Sequence, residues 1–257
     1  MTDNDILSQL IAMSNHLGDP ALDYAILGEG NTSARADAET LWVKASGTNL
    51  GTIREDGFVR VSFERTFELF ESDVDGSVVA GGDAAIKAGL LRAKVDPNDP
   101  RRPSVETVLH AMALSLDGVN FVGHTHPTAI NALTCSAAFE TAARGRLCPD
   151  EIVSCGPASV IVPWTDPGLP LARTVKELID AYIDERGELP KMVLLQNHGL
   201  IALGETAHEV EAITAMACKS ARILAGTCAF GGPHFFTEEI VDKIHTRPDE
   251  VYRRQVI

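Results

Sequence analysis

The run "GVNFVGHTHP" (118–127) sets the strongest limit on how this chain can fold. An apolar stretch ending in His-x-His-Pro reads as a buried strand. Residues i and i+2 of a strand share a face, and the proline biases His126 towards extended backbone. His124 and His126 then converge on one point at a strand end. A second stretch makes a similar demand. "KMVLLQNHGLIALG" (191–204) reads as two buried strands meeting at Asn197-His198-Gly199, with flanks that would ordinarily exclude an imidazole. A buried histidine needs partners for both ring nitrogens, and a metal ion is one such partner. His-x-His alone is more often packing than ligation; His198 moves the balance towards a metal. Three neutral histidines with a position left open for substrate describe a catalytic zinc site, which similar divalent metals can also use. His16, His208, His234 and His245 lie in polar or terminal segments and read as surface residues.

Around these strands the chain alternates helix and strand signals. Ile6, Leu7, Leu10, Ile11 and Met13 follow helical spacing behind possible caps at Thr2 to Asp5, and Gly18 can stop that helix. The glycine-rich "LGEGNTSAR" (27–35) reads as a loop, "LWVKA" (41–45) as a strand, "SGTNLG" (46–51) as a turn and "FVRVSF" (58–63) as a half-buried strand. Helices are expected over 81–94 and 104–116, separated by the proline- and charge-rich loop 95–103, and again from Pro127 to Cys135. "EIVSC" (151–155) and "SVIVPW" (159–164) read as short strands, 171–187 as a helix ended by glycine, and 209–226 as a long final helix. No pattern assigns the tail after Gly231. With no repeat, low-complexity tract or long linker, residues 1–257 are expected to form one α/β domain.

Composition narrows the partners. A hydrophobic fraction of 45% and a charged fraction of 23% are those of an ordinary globular protein. The formal charge of −14 argues against nucleic acid or an anionic membrane as partner, but leaves small substrates open. Five cysteines without a CxxC pair read as free thiols in a reducing compartment. The acidic amphipathic N-terminus is no signal peptide, and no apolar run approaches the ~18–20 residues of a membrane span. A cytoplasmic protein is expected.

Two further groups carry possible chemistry. Glu106 in "PSVETVLHAMA" falls early in a helix, where the dipole favours a carboxylate, with Ser104 as an ordinary cap. His110, four residues on, shares its face. It could bond Glu106, add a fourth metal ligand or pack in the core, and a supporting role is favoured. "GEGNTSAR" matches neither a P-loop nor a dinucleotide fingerprint. Its glycines with Asn31, and "ASGT" (45–48), could each offer donors to an anion, or be plain turns.

In order, "GEGNTSAR", "VKASGT", "RPSVETVLH", "VGHTHP" and "NHGLIALG" resemble the class II aldolase/adducin family, over residues 28 to 204. Relatives there include L-fuculose-phosphate aldolase and L-ribulose-5-phosphate 4-epimerase. The wording is closest to the aldolase halves of bifunctional rhamnulose-phosphate aldolase/dehydrogenase proteins, and no dehydrogenase domain is expected here. The resemblance implies a three-layer α/β/α fold with a largely antiparallel central sheet, and homotetramers with sites at subunit boundaries. It implies that His124, His126 and His198 bind zinc, with manganese or cobalt as alternatives, and that Glu106 is the acid/base. Gly30, Asn31, Ser46, Gly47 and Ser104 would line a pocket for a substrate phosphate. The implied reaction is aldol cleavage of a sugar-like, phosphorylated hydroxyketone through a metal-stabilised enediolate. Decarboxylation of a 3-oxo acid or epimerisation are alternatives on the same site, and a non-catalytic adducin-like binding protein is a more distant one.

Two departures stand out. Where phosphate-binding relatives often carry two serines before the glutamate, the second position here is Val105. The tyrosine expected about twenty residues beyond the histidine pair is missing, and the chain's three tyrosines are Tyr24, Tyr182 and Tyr252.

Overall fold

The computed structural model describes residues 3–72, 82–250 and 252. Its strands are β1 (Asn31–Arg35), β2 (Thr40–Lys44), β3 (Phe58–Ser62), β4 (Phe121–Thr125), β5 (Val160–Val162), β6 (Met192–Leu195) and β7 (Gly199–Gly204). They form one seven-stranded sheet in the order β3-β2-β1-β4-β7-β6-β5, with the β5–β6 pair parallel and the other pairs antiparallel. The helices are α1 (Asp3–Leu17), α2 (Phe63–Glu71), α3 (Gly82–Ala93), α4 (Thr107–Leu114), α5 (Thr128–Thr134), α6 (Phe139–Arg144), α7 (Pro149–Cys155), α8 (Leu169–Arg186), α9 (Ala207–Thr227) and α10 (Glu238–His245).

Strand alternation builds two cores. β6 sends Met192 and Leu194 to one face and Val193 and Leu195 to the other, and β7 divides Leu200 and Ala202 from Ile201 and Leu203 in the same way. Met192, Leu194, Leu200 and Ala202 pack with Leu10 and Leu17 of α1 and Val210 and Ile213 of α9. Val193, Leu195, Ile201 and Leu203 pack with Leu109 and Met112 of α4 and Val175 and Ile179 of α8. Helices on both faces of a mostly antiparallel sheet make the expected three-layer α/β/α fold. No helix among the described residues is long and apolar enough to cross a membrane.

Several local expectations change. Residues 151–155 belong to helix α7, not a strand: Pro149 takes the first turn with Asp150 and Glu151 beside it, and these start signals outweigh the β-branched pair Ile152-Val153. "NTSAR" is a strand, not a loop, although it is polar. The buried Thr32 hydroxyl shares a hydrogen bond with Ser14 of α1 (2.6 Å), and Ser33 is satisfied on the opposite face. The helix expected from 104 starts at Thr107, because residues 103–104 are extended against the end of β2 through the Ala45–Pro103 bridge and a Ser104 N–H bond to the Lys44 carbonyl. Helix α2, unassigned from sequence, follows Ser62, whose hydroxyl accepts from the Arg65 N–H. The unassigned tail holds α10, whose Val241 and Ile244 cover Ile152; α9 is therefore not the last helix. Of the predicted surface histidines, His16, His208 and His234 are exposed, while His245 is half-buried and pairs with Glu188 at 2.9 Å.

Gly123, in the middle of β4, lies where α1 and α9 press on the sheet. A Cβ there would sit 2.6 Å from Val210 Cγ1 and 3.1 Å from Leu17 Cδ1. Valine is stiff at χ1, so the helices and not one side chain must yield. Gly123→Ala should cost about 1–3 kcal/mol, as overpacking does. Urea midpoints of the two proteins will measure it, and unchanged midpoints would contradict this packing.

Candidate metal centre

The start of β1, the ends of β2 and β4 and the turn between β6 and β7 lie together at one end of the sheet. His124 is the penultimate residue of β4 and His126 follows its end; His198 occupies the β6–β7 turn. Their Nε2 atoms converge, His124 to His126 at 3.0 Å and His124 to His198 at 3.3 Å. Gly199 makes room for this: a Cβ there would lie 2.5 Å from the Thr125 carbonyl oxygen and 2.8 Å from Cδ2 of His126. Gly30, at φ +66°, passes so near β4 that a Cβ would meet the His124 carbonyl oxygen at 2.5 Å.

One ring proton can be placed. His124 Nδ1 lies 2.9 Å from the Leu200 carbonyl oxygen, which only accepts, so Nδ1 donates and Nε2 presents its lone pair. Facing lone pairs repel unless a proton or a cation lies between them. Burial pushes His126 down to about 3 and His198 down to about 4, so protons are a poor choice. His198 Nδ1 and Glu106 Oε1 are buried without a hydrogen-bond partner among the described residues. A soft-to-borderline divalent ion such as zinc fits this donor set, and the three histidines group as one that could hold a metal.

Glu106 is held at the junction where the segment clamped to β2 turns into α4. It is 5% exposed, with Oε2 3.5 Å from His124 Nε2 and Oε1 3.7 Å from His198 Nε2. Burial pushes its carboxyl up, but the electrostatic influence of the His124 and His198 rings beside it and a hydrogen bond from Asn31 outweigh it and bring it to about 2. Asn31 Nδ2 donates to Glu106 Oε2 at 2.6 Å and to Ser104 Oγ at 3.3 Å. Ser104 Oγ does not cap the helix as expected, and accepts instead from the Glu106 N–H at 3.3 Å.

The remaining expected residues divide. Ser46 and Gly47 sit at this end of the sheet, where the Ser46 N–H donates to the Arg102 carbonyl, but both are exposed. No hydrogen bond joins them directly to Asn31 or Glu106 among the described residues. His110 is fully buried and stands apart from the cluster, bonded to Ser33 and Asn31. Tyr24 and Tyr182 are buried within the two cores, and Tyr252 is exposed. Sequence reasoning missed Lys44, which is 3% exposed; burial pushes its ammonium pKa down while the Glu106 carboxylate pulls it up. The signal was a lysine inside the otherwise apolar "LWVKA". Beside His126 a cavity of about 340 Å³ opens between Ile26, Glu29 and Asn131, next to the exposed Leu27, whose backbone is left-handed at φ 53°.

With this fold and centre in place, the sequence model of the class II aldolase and adducin N-terminal domain matches residues 8–225, and the chain belongs to that family. It is 28% identical over 211 residues to an uncharacterized oxidoreductase, YuxG, of Bacillus subtilis strain 168, covering 78% of this chain but 27% of that protein's length. It is 29% identical to the 3-oxo-tetronate 4-phosphate decarboxylase of Haemophilus influenzae, over 70% of this chain and 69% of that one. The structure of the N-terminal class II aldolase domain of a conserved Thermoplasma acidophilum protein superposes with a TM-score of 0.64 at 28% identity, over 85% of this chain and 93% of that one.

The depressed imidazoles fix a pH dependence for the metal-free protein. His110, His126 and His198 are pushed down by burial to about 3 to 4 when folded, from an ordinary histidine value of about 6.5, so the unfolded chain takes up more protons between these limits. Stability should therefore be full above about pH 6.5 and fall steadily as pH drops towards 4. Urea titrations of metal-free protein across that range will show it; a flat profile would contradict the burial of these rings.

Proposed function

We propose that this protein is a divalent-metal-dependent carbon–carbon lyase, an aldolase cleaving a sugar-like hydroxyketone. In this reading His124, His126 and His198 hold zinc, or manganese or cobalt, and Glu106 is the acid/base. The observation that carries it is the convergence of three imidazole Nε2 atoms beside an ionised, buried carboxylate. A divalent ion held there supplies Lewis acidity to the carbonyl and adjacent hydroxyl oxygens of the substrate. Glu106 holds the proton exchanged at the carbon next to that carbonyl, returning it after cleavage and removing it in synthesis. Asn31 and Ser104 keep the carboxylate aimed. Together with Gly30, Ser46 and Gly47 they border the place for a substrate phosphate, where Val105 offers no hydroxyl.

Decarboxylation of a 3-oxo acid is the second reading, and a specific observation favours it. Aldol cleavage needs a group to take the proton of the hydroxyl that becomes an aldehyde; among the described residues Tyr24 meets the cluster only through its backbone carbonyl, which accepts from the His126 N–H, and no tyrosine hydroxyl is bonded to it. Loss of carbon dioxide has no such requirement. Similarity to a protein named as a decarboxylase points the same way.

The same proposal takes residues 1–257 as one domain acting in the cytoplasm, in keeping with five free thiols. It also takes the active form to be a homotetramer with sites at subunit boundaries. Exposed apolar side chains beside the site segments support this: Ile26 at 51%, Leu27 at 78%, Val105 at 45% and Trp164 at 54%.

Elemental analysis should find about one divalent ion per chain, mostly lost in His126→Ala; equal metal in the two proteins would rule the centre out. Metal-loaded protein screened against ketose phosphates and 3-oxo acids, with aldehyde and carbon dioxide both measured, separates the two readings. On the substrate so found, Glu106→Gln should slow turnover by ~10²–10⁴-fold with metal unchanged. A wild-type rate would move the proton transfer to another residue.

A further inference from the structure

His110 belongs to a buried chain of hydrogen bonds whose proton positions are forced. Its Nε2 contacts Asn31 Oδ1, and its Nδ1 lies 2.6 Å from Ser33 Oγ. An amide oxygen can only accept, so Nε2 carries a hydrogen. The ring has no access to water, and burial pushes its pKa down to about 3, so it is neutral and Nδ1 is bare. The Ser33 hydroxyl must then donate to it. On its other side the Asn31 amide directs Nδ2 at Glu106 Oε2 and Ser104 Oγ. Each bond runs the same way: Ser33 to His110, His110 to Asn31, Asn31 to the carboxylate.

The opposite polarity has a large penalty. Turning the Asn31 amide over would put its oxygen against the ionised Glu106, two acceptors in contact away from water. It would also need the His110 hydrogen on Nδ1. Without a donor at Nε2, Asn31 Oδ1 would be a buried acceptor with no partner, which costs enough to turn the side chain out of place.

We propose that His110 is a positioning residue for Glu106: the hydrogen on its Nε2 pins the Asn31 amide, and through it the orientation and donor supply of the carboxylate. It acts through Asn31 and touches neither metal nor substrate. The catalytic consequence rests on the lyase reading, but the proton positions do not.

The test is nitrogen-15 NMR of the histidine rings and the Asn31 side-chain amide in the full chain, assigned through backbone connectivity. At neutral pH the His110 hydrogen should be on Nε2, and zinc added alone should leave that ring unmoved while shifting those of His124, His126 and His198. His110→Gln retains an N–H donor and should keep the Asn31 amide protected from hydrogen exchange. His110→Phe retains the bulk without the donor and should lose that protection with zinc content unchanged. On a substrate found by the screen above, kcat should fall about 10–100-fold in His110→Phe and stay near wild type in His110→Gln. A hydrogen on Nδ1, a doubly protonated ring, a ring that shifts with zinc as a ligand would, or full Asn31 protection in His110→Phe would overturn the proposal. The wild-type spectrum decides even if His110→Phe does not fold, and the ring and amide signals decide even if no substrate is found.

Discussion

The antiparallel pairing of β4 with β7 determines where every candidate ligand lies. In this register His124 sits opposite Ile201 and Thr125 opposite Leu200. The Leu200 carbonyl is thereby brought to His124 Nδ1, which sets the tautomer that leaves Nε2 bare. β7 also pairs with β6, and Leu195 opposite Gly199 closes the turn that carries His198. A slip of one residue would send His124 to the other face, among the side chains of α1 and α9, and dissolve the cluster. The closeness of α1 and α9 at Gly123 and the fit of Gly199 against His126 both guard that register.

Electrostatics at this end of the sheet is a matter of mutual cover. An ionised carboxylate, a buried ammonium and several imidazoles share a largely buried region, where each alone would be neutralised or expelled. Glu106 is held ionised by its neighbours, and Lys44 is partly held charged by Glu106. The protein as a whole is strongly acidic, so its mean field would not draw in an anion.

The histidine pair was legible because strand period and proline speak about single residues, and because apolar flanks made His198 conspicuous. The layers were legible through the long alternating and helical segments, such as 191–204 and 171–187. β1 was not, since its buried polar side chains are satisfied by partners far along the chain: Thr32 by Ser14, and Ser33 by His110. From local pattern alone, without the family resemblance, Glu106 read as a helix-start residue, because the clamp that places it joins residues 102–104 to the end of β2. The anion pocket was legible as motifs, but its geometry was not. Asn31 and Ser104 spend hydrogen bonds on Glu106, while Ser46 and Gly47 stand apart.

Leu27 carries a backbone cost in the loop that precedes β1. A leucine has no side-chain group to ease a left-handed backbone, unlike Asp23 and Asn197, which adopt the same region nearby. Strain of this kind costs about 1–3 kcal/mol, against a total stability of only about 5–15 for a folded protein. Selection for heat resistance alone would therefore reach this loop early, exchanging the leucine for a glycine that the backbone there prefers. The gain would remove an exposed apolar side chain next in sequence to Ile26, which lines the cavity beside His126. Keeping a leucine there sets durability against an exposed apolar surface.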